Sequence, residues 1–314
     1  AGELAQGEQV ALGEGGAADA LGEDHDADAL EVGGDRCGGV VAVAVAGWAW
    51  AGLGPRWGAA PGLADEAGVD MILVGDSLAM VVLGYEDTLQ VTVADMAHHI
   101  AAVARTQPAA LIVGDLPWMS YHVSPSETVQ NAAQLIRAGA QCVKLEGGVK
   151  RVGMIEAIVN AEIPAMGHIG LTPQSMHAMG GFKVQGKNSQ AALQLVADAK
   201  ALQHAGCFAL VLEGIPSEVA SLITNSVDIP TIGIGAGKDC DGQVLVSHDL
   251  LGIQDRMLPK FVRRYADVKS ISVAAISEFA ADVRSGEFPS PAESYQLESS
   301  EAEAIALYSG PIAH

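Results

Sequence analysis

From residue 63 onward, short apolar runs rich in β-branched residues alternate with longer stretches whose apolar positions recur at helical spacing. The runs are Met71 to Gly75, Ala110 to Gly114, Cys142 to Glu146, Ile163 to His168, Phe208 to Glu213 and Ile229 to Ile234. Continuous apolar runs bounded by turn residues suit parallel strands that are buried on both faces. The stretches between them carry helix start and stop signals. Ser126 to Ala138 opens in Ser124-Pro125-Ser126-Glu127 and stops at Gly139, Ser189 to His204 stops at Gly206, and Thr92 to Val103 is apolar on one face. A seventh strand is expected around Met257 to Val262. The missing eighth falls before residue 63, where Val40 to Ala46 is the one apolar run that fills the slot. Strands alternating with helices in this way predict a (β/α)8 TIM barrel rather than a doubly wound sheet, with strand 1 the uncertain member. Asp267 to His314 reads as one packed terminal helix, about Ser272 to Arg284, and then irregular chain.

Composition divides the chain. Its 314 residues carry a formal net charge of −21, and 62 of them stand apart. Residues 1–62 hold 15 Ala, 15 Gly, ten acids and two bases, Arg36 and Arg56, with no Lys, Ile, Phe, Tyr, Asn, Met, Ser or Thr. Residues 63–314 have ordinary globular usage. The expected organisation is an anomalous acidic extension over 1–62, a barrel over 63–297 and an irregular tail over 298–314. The acidity argues against nucleic acid or an anionic membrane as partner, since both need basic patches. No apolar run reaches the roughly 18 residues of a spanning helix, because Val40 to Leu53 is interrupted by Gly47 and Gly52. With no basic leader, the expectation is a cytoplasmic protein. Cys37, Cys142, Cys207 and Cys240 are too scattered for a zinc site and read as reduced thiols.

Catalytic groups of such barrels sit at the C-terminal ends of the strands. Those ends carry Asp76-Ser77, Asp115, Lys144 with Glu146, His168 and Glu213. A lone Asp after a strand is usually a helix cap. Polar groups on five consecutive strands make that reading weak. Asp76, Asp115 and Glu146 are hard oxygen donors without a His or Cys cluster, a set that suits Mg²⁺ with water or a chelating substrate. Lys144 and Glu146 are two apart and share a side of their strand. Glu213 is then the spare carboxylate, a candidate general base.

The strand-end segments resemble the ketopantoate hydroxymethyltransferase family over about residues 63–297. They are Leu73-Val74-Gly75-Asp76-Ser77-Leu78, Val91 to Met96, Gly114-Asp115-Leu116-Pro117-Trp118-Met119, Val143 to Gly148, Gly167 to Ser175, Gly180 to Gly186, Ile232 to Gly237 and Pro259 to Val262. The resemblance implies a Mg²⁺-dependent barrel in pantothenate synthesis. Its reaction moves a one-carbon unit from the co-substrate 5,10-methylenetetrahydrofolate to 3-methyl-2-oxobutanoate and releases tetrahydrofolate. It implies Asp76, Asp115 and Glu146 at the metal, and Asp76, Ser77, Asp115, Lys144 and His168 around the keto acid. It also implies Glu213 as proton acceptor and a homo-oligomer, a decamer. Two other functions compete: a lyase of the phosphoenolpyruvate mutase and isocitrate lyase type, whose Lys-Cys-Gly-His loop is absent here, and a catalytically impaired barrel.

The front of the chain departs from that pattern. A Thr-Ala-Tyr-Asp segment expected near Leu53 to Arg56 is missing. Six of the absent residue types have AT-rich codons, so the Ala/Gly excess matches a GC-rich gene read out of frame, with the true frame resuming near Leu63. Other features read blandly. Gly233 to Gly237 lacks a phosphate-loop ending and reads as close backbone packing. His98-His99 reads as structural, Gly180 to Gly186 as a lid or a plain surface or oligomer loop, and the Trp48, Trp50 and Trp57 cluster has no assigned role.

Overall fold

The computed structural model describes residues 40–44, 59–254 and 258–306. The apolar runs form parallel strands whose two faces are buried differently. Inward positions such as Met71, Val113, Met166, Val211 and Ile232 fill the barrel interior. Outward positions such as Ile72, Val143, Leu145, Leu210 and Leu212 pack beneath the helices. This double burial is why the runs lack polar alternation.

Eight strands close into a barrel in sequence order. They are β1 (Val40–Ala44), β2 (Met71–Val74), β3 (Leu111–Asp115), β4 (Cys142–Glu146), β5 (Ala165–Gly170), β6 (Ala209–Glu213), β7 (Thr231–Ile234) and β8 (Gly242–Val246). The barrel expectation therefore holds, and Val40–Ala44 supplies its first strand, pairing with β8 and β2. The barrel thus begins inside the compositionally anomalous segment rather than at residue 63. Its inward side chains there are Ala42 and Ala44. They are small, and Ala42 lines an apolar void of about 10 Å³ on the barrel axis.

Three expectations need correction. The last strand is Gly242–Val246, and residues 258–262 are not strand; Met257 lies outside the described residues, as do the Trp cluster and Leu53 to Arg56. The terminal helix runs over Val268–Ser285 but does not pack on the barrel: none of its residues is buried. Ile271, Val273, Ile276, Phe279 and Val283 are exposed along it. Within the tail expected to be irregular, Ser299–Ala306 is helical.

The helices around the barrel follow their sequence signals. Numbered α1 to α11 in chain order, they include α2 (Leu78–Val81), α3 (Val93–Ala104), α4 (Pro125–Arg137), α7 (Ser189–His204) and α10 (Val268–Ser285). Thr92 and Asp95 form a reciprocal capping box at the start of α3, and Ser124 caps α4. His99 is buried on α3, edge-on to His98. The Gly233 to Gly237 segment is packed tightly by its surroundings. Gly235 has φ +64°, and a Cβ there would come within 2.5 Å of the Phe261 ring. Cys142, Cys207 and Cys240 are free thiols, and burial pushes the first two up to about 12. No helix among the described residues is long and apolar enough to cross a membrane.

Candidate active site

Strand parity and register assemble the polar ring. Asp115 of β3 pairs with Lys144 of β4, Glu146 of β4 with His168 of β5, and Gly170 of β5 with Glu213 of β6. Side chains two apart on a strand share a face, so Lys144 and Glu146 both point inward while Leu145 joins the outer core. Asp76 and Ser77 follow β2 after Gly75. Together Asp76, Ser77, Asp115, Lys144, Glu146, His168 and Glu213 line one cavity of about 100 Å³ at the C-terminal mouth. All seven residues expected from the sequence are therefore brought together.

The contacts form a chain of opposite charges. Lys144 Nζ lies 2.8 Å from Asp115 Oδ1 and 4.0 Å from Glu146 Oε1. His168 Nδ1 lies 3.4 Å from Glu146 Oε1, and its Nε2 lies 3.2 Å from Glu213 Oε2. The Asp76 N–H donates to Asp115 Oδ2 at 3.1 Å. Lys144 and His168 are almost wholly buried, whereas Glu213 keeps 16% of its side chain exposed at the cavity. Ser77 makes no side-chain cap bond to α2.

Burial sets the electrostatics, and neighbours correct it. Burial and Lys144 both oppose protonation of His168, yet its bonds to Glu146 and Glu213 win and raise it to about 9. His168 is then charged at neutral pH and stands between two carboxylates, one within ion-pair distance of each ring nitrogen. Burial disfavours the Lys144 ammonium, but Asp115, Glu146 and Asp76 more than compensate and raise it. Burial also opposes ionisation of Glu146, but His168, Lys144 and the Gln174 N–H hold it below the usual carboxylate range. Asp76 has the opposite balance: burial, then Asp115 and Glu146, drive it well above that range.

Two groups of this site carry no sequence signature of reactivity. Gln174, in the turn after β5, donates from Nε2 to Asp76 Oδ2 at 2.9 Å. The Tyr121 hydroxyl, from the loop after β3, accepts from the Glu146 N–H at 3.2 Å. Neither residue is charged, and neither lies at a strand end; their position in loops at the catalytic mouth is the one available signal.

Could these residues hold a divalent cation? Four carboxyl groups face two cationic side chains, so the fully ionised cluster has two negative charges in excess. Burial first, and then the nearby charges of Asp115 and Glu146, raise Asp76. No three His, Cys, Asp or Glu side chains among the described residues form a ready-made cage. Mg²⁺ does not require one, because it keeps waters and is typically bound through one or two carboxylates plus substrate. Asp76 and Asp115 suit that role. Glu146 adds charge, with its two oxygens already bonded by His168 and the Gln174 N–H.

The chain is similar to proteins of known family along most of this barrel. The family model described as ketopantoate hydroxymethyltransferase matches residues 59–291. The 3-methyl-2-oxobutanoate hydroxymethyltransferase of Oleidesulfovibrio alaskensis is 56% identical over 236 residues, covering 75% of this chain and 82% of that protein. That of Ignicoccus hospitalis is 58% identical over 227 residues, covering 72% and 86%. Among solved structures, a phosphonopyruvate hydrolase aligns with a TM-score of 0.53 at 13% identity, covering 86% of this chain and 91% of that one. The phosphoenolpyruvate phosphomutase of Streptomyces platensis aligns at 0.52 and 13% identity, covering 86% and 92%. At that identity the shared property is the barrel fold.

Proposed function

This chain belongs to the ketopantoate hydroxymethyltransferase family, a transferase of one-carbon groups, and from that premise we propose its reaction and its catalytic residues. The substrate is 3-methyl-2-oxobutanoate, the donor 5,10-methylenetetrahydrofolate with one water consumed, and the products 2-dehydropantoate and tetrahydrofolate. The observation that carries this reading is the pairing of Glu213 Oε2 with His168 Nε2 at 3.2 Å on the wall of the acidic cavity.

Glu213 accepts the proton from the carbon beside the keto group. It suits that role because it is the part-exposed carboxylate of the ring, while Asp115 and Glu146 are tied to Lys144 and His168. His168 holds Glu213 in place through Nε2 and is itself held by Glu146 through Nδ1. Lys144 offsets the negative charge of the keto acid, and Ser77 and Asp115 contact it. The deprotonated carbon then bonds to the methylene carbon of the donor as one of its two carbon–nitrogen bonds breaks, and water displaces the remaining nitrogen, supplying the hydroxyl oxygen of the product and releasing tetrahydrofolate. Asp76 and Asp115, with the charge of Glu146 behind them, would hold Mg²⁺. When bound, the cation supplies electrostatic stabilisation of the charge that develops on the keto acid. The assay is formation of 2-dehydropantoate from the two substrates with Mg²⁺. Product should require both substrates and vanish with a chelator; a chain that turns over no keto acid under these conditions overturns the proposal.

Two further features belong to this reading. A cytoplasmic homo-oligomer, a decamer by family resemblance, stands as part of this reading, and self-association is supported by the apolar side chains that α10 leaves exposed among the described residues. Residues 1 to about 62 are read as out of frame, supported by their composition and by a family match that starts at residue 59. Mass spectrometry of the natural protein should then find no peptide from Gly13 to Arg36. Such a peptide would refute the frame reading and leave the site untouched.

A further inference from the structure

Gln174 sits in the single turn Pro173–Ser175 after β5 and is 5% exposed. Both of its side-chain N–H groups and its amide oxygen are engaged. Nε2 donates to Asp76 Oδ2 at 2.9 Å and to the Leu116 carbonyl at 3.0 Å, and Oε1 accepts from the Tyr121 hydroxyl. Its backbone N–H donates to Glu146 Oε2 at 3.0 Å. The Tyr121 hydroxyl accepts in turn from the Glu146 N–H. One residue therefore ties together the chain after β2, the loop after β3, the end of β4 and its own loop after β5.

The chemistry of this position is restrictive. Turning the amide over would set Oε1 against the Asp76 carboxylate and the Leu116 carbonyl, two acceptors facing an acceptor. A glutamate would do the same and add another acid to a cluster already rich in them. A neutral group with two donors and one acceptor is what the surroundings accept, and its bonds are charge-assisted at Asp76 and Glu146. Both carboxylates are thus aimed from one point. A site loose by about 1 Å loses much of its function, so such aiming has consequences beyond packing.

We infer that Gln174 is a positioning residue for the divalent-cation site, holding Asp76 through its amide and Glu146 through its backbone, with Tyr121 fixing the amide's orientation. The inference rests on the Mg²⁺ reading above and adds the residue that sets that site's geometry.

Mn²⁺ is the probe, because its free form is read directly by electron paramagnetic resonance without turnover. Three proteins are compared: the parent chain, Gln174→Met and Tyr121→Phe. Gln174→Met should weaken Mn²⁺ binding about 10–100-fold, the usual effect of removing an outer-shell partner. Tyr121→Phe removes the hydroxyl that orients Oε1 but leaves Nε2 on Asp76, so it should weaken binding by a smaller factor at an unchanged fold. Thermal unfolding is followed in parallel. A Gln174→Met protein that melts earlier yet binds Mn²⁺ as the parent does has lost only packing, and the inference falls. If Gln174→Met does not fold, Tyr121→Phe decides: parent-like affinity overturns the inference and weakened affinity supports it. A parent chain that binds no Mn²⁺ brings down the cation reading itself, an outcome distinct from the others.

Discussion

Replacing Glu213 by Gln should lower turnover by about 10²–10⁴-fold while leaving keto acid and Mg²⁺ binding in place. Gln has the same shape and keeps an oxygen that accepts from His168 Nε2, now 3.2 Å from Glu213 Oε2. The imidazolium therefore keeps a partner, and the chain Glu213, His168, Glu146 keeps its geometry. The variant loses only the capacity to take a proton. Asp76 and Asp115 lie across the cavity and do not bond to Glu213, so the cation site should keep its ligands. Steady-state rates and calorimetric titration of the keto acid with Mg²⁺ check the two halves of this expectation. Near-normal turnover would remove Glu213 from its role. Lost binding with lost turnover would make it a binding residue instead.

The largest stability effect should come from Lys144→Met. Lys144 is buried and lies 2.8 Å from Asp115 Oδ1, with Glu146 at 4.0 Å. Intact, the pair need not stabilise the fold much, since burying two charges costs about as much as their attraction returns. Cutting one partner away is different. It leaves buried carboxyl groups facing one another with His168 as the remaining cation, and a broken buried pair of this kind costs about 3–5 kcal/mol. Urea unfolding of the variant without added divalent cation measures that loss. A variant within about 1 kcal/mol of the parent would mean that solvent or protonation already relieves the cluster.

The sequence made the ring legible because strand parity is strict. Once Cys142 to Glu146 is read as a strand, Lys144 and Glu146 must share a face, and Leu145 must oppose them. The same reasoning carried Asp115, His168 and Glu213 to one mouth. It failed where pattern is weak. β8 opens on Gly242 and contains the exposed Gln243, whereas the run at 258–262 is apolar but contains Pro259, which suits strands poorly. The stripe on α10 announces an apolar face but not what covers it, so the expected packing on the barrel did not follow. Gln174 and Tyr121 act through long-range partners, Asp76 being 98 residues from Gln174, and no local spacing marks such a pair. The first strand is a separate lesson. Val40–Ala44 enters the barrel because it is apolar and fits the gap, but with Ala42 and Ala44 facing inward it brings no polar group to the mouth.

The central claim is that Glu213 takes a proton from the carbon next to the keto group. Deuterium exchange tests it with the donor left out. The chain with Mg²⁺ and 3-methyl-2-oxobutanoate in D₂O should replace the hydrogen at that carbon, followed by proton NMR, and Glu213→Gln should exchange at the uncatalysed rate. Exchange by Glu213→Gln at the parent's rate would contradict the account.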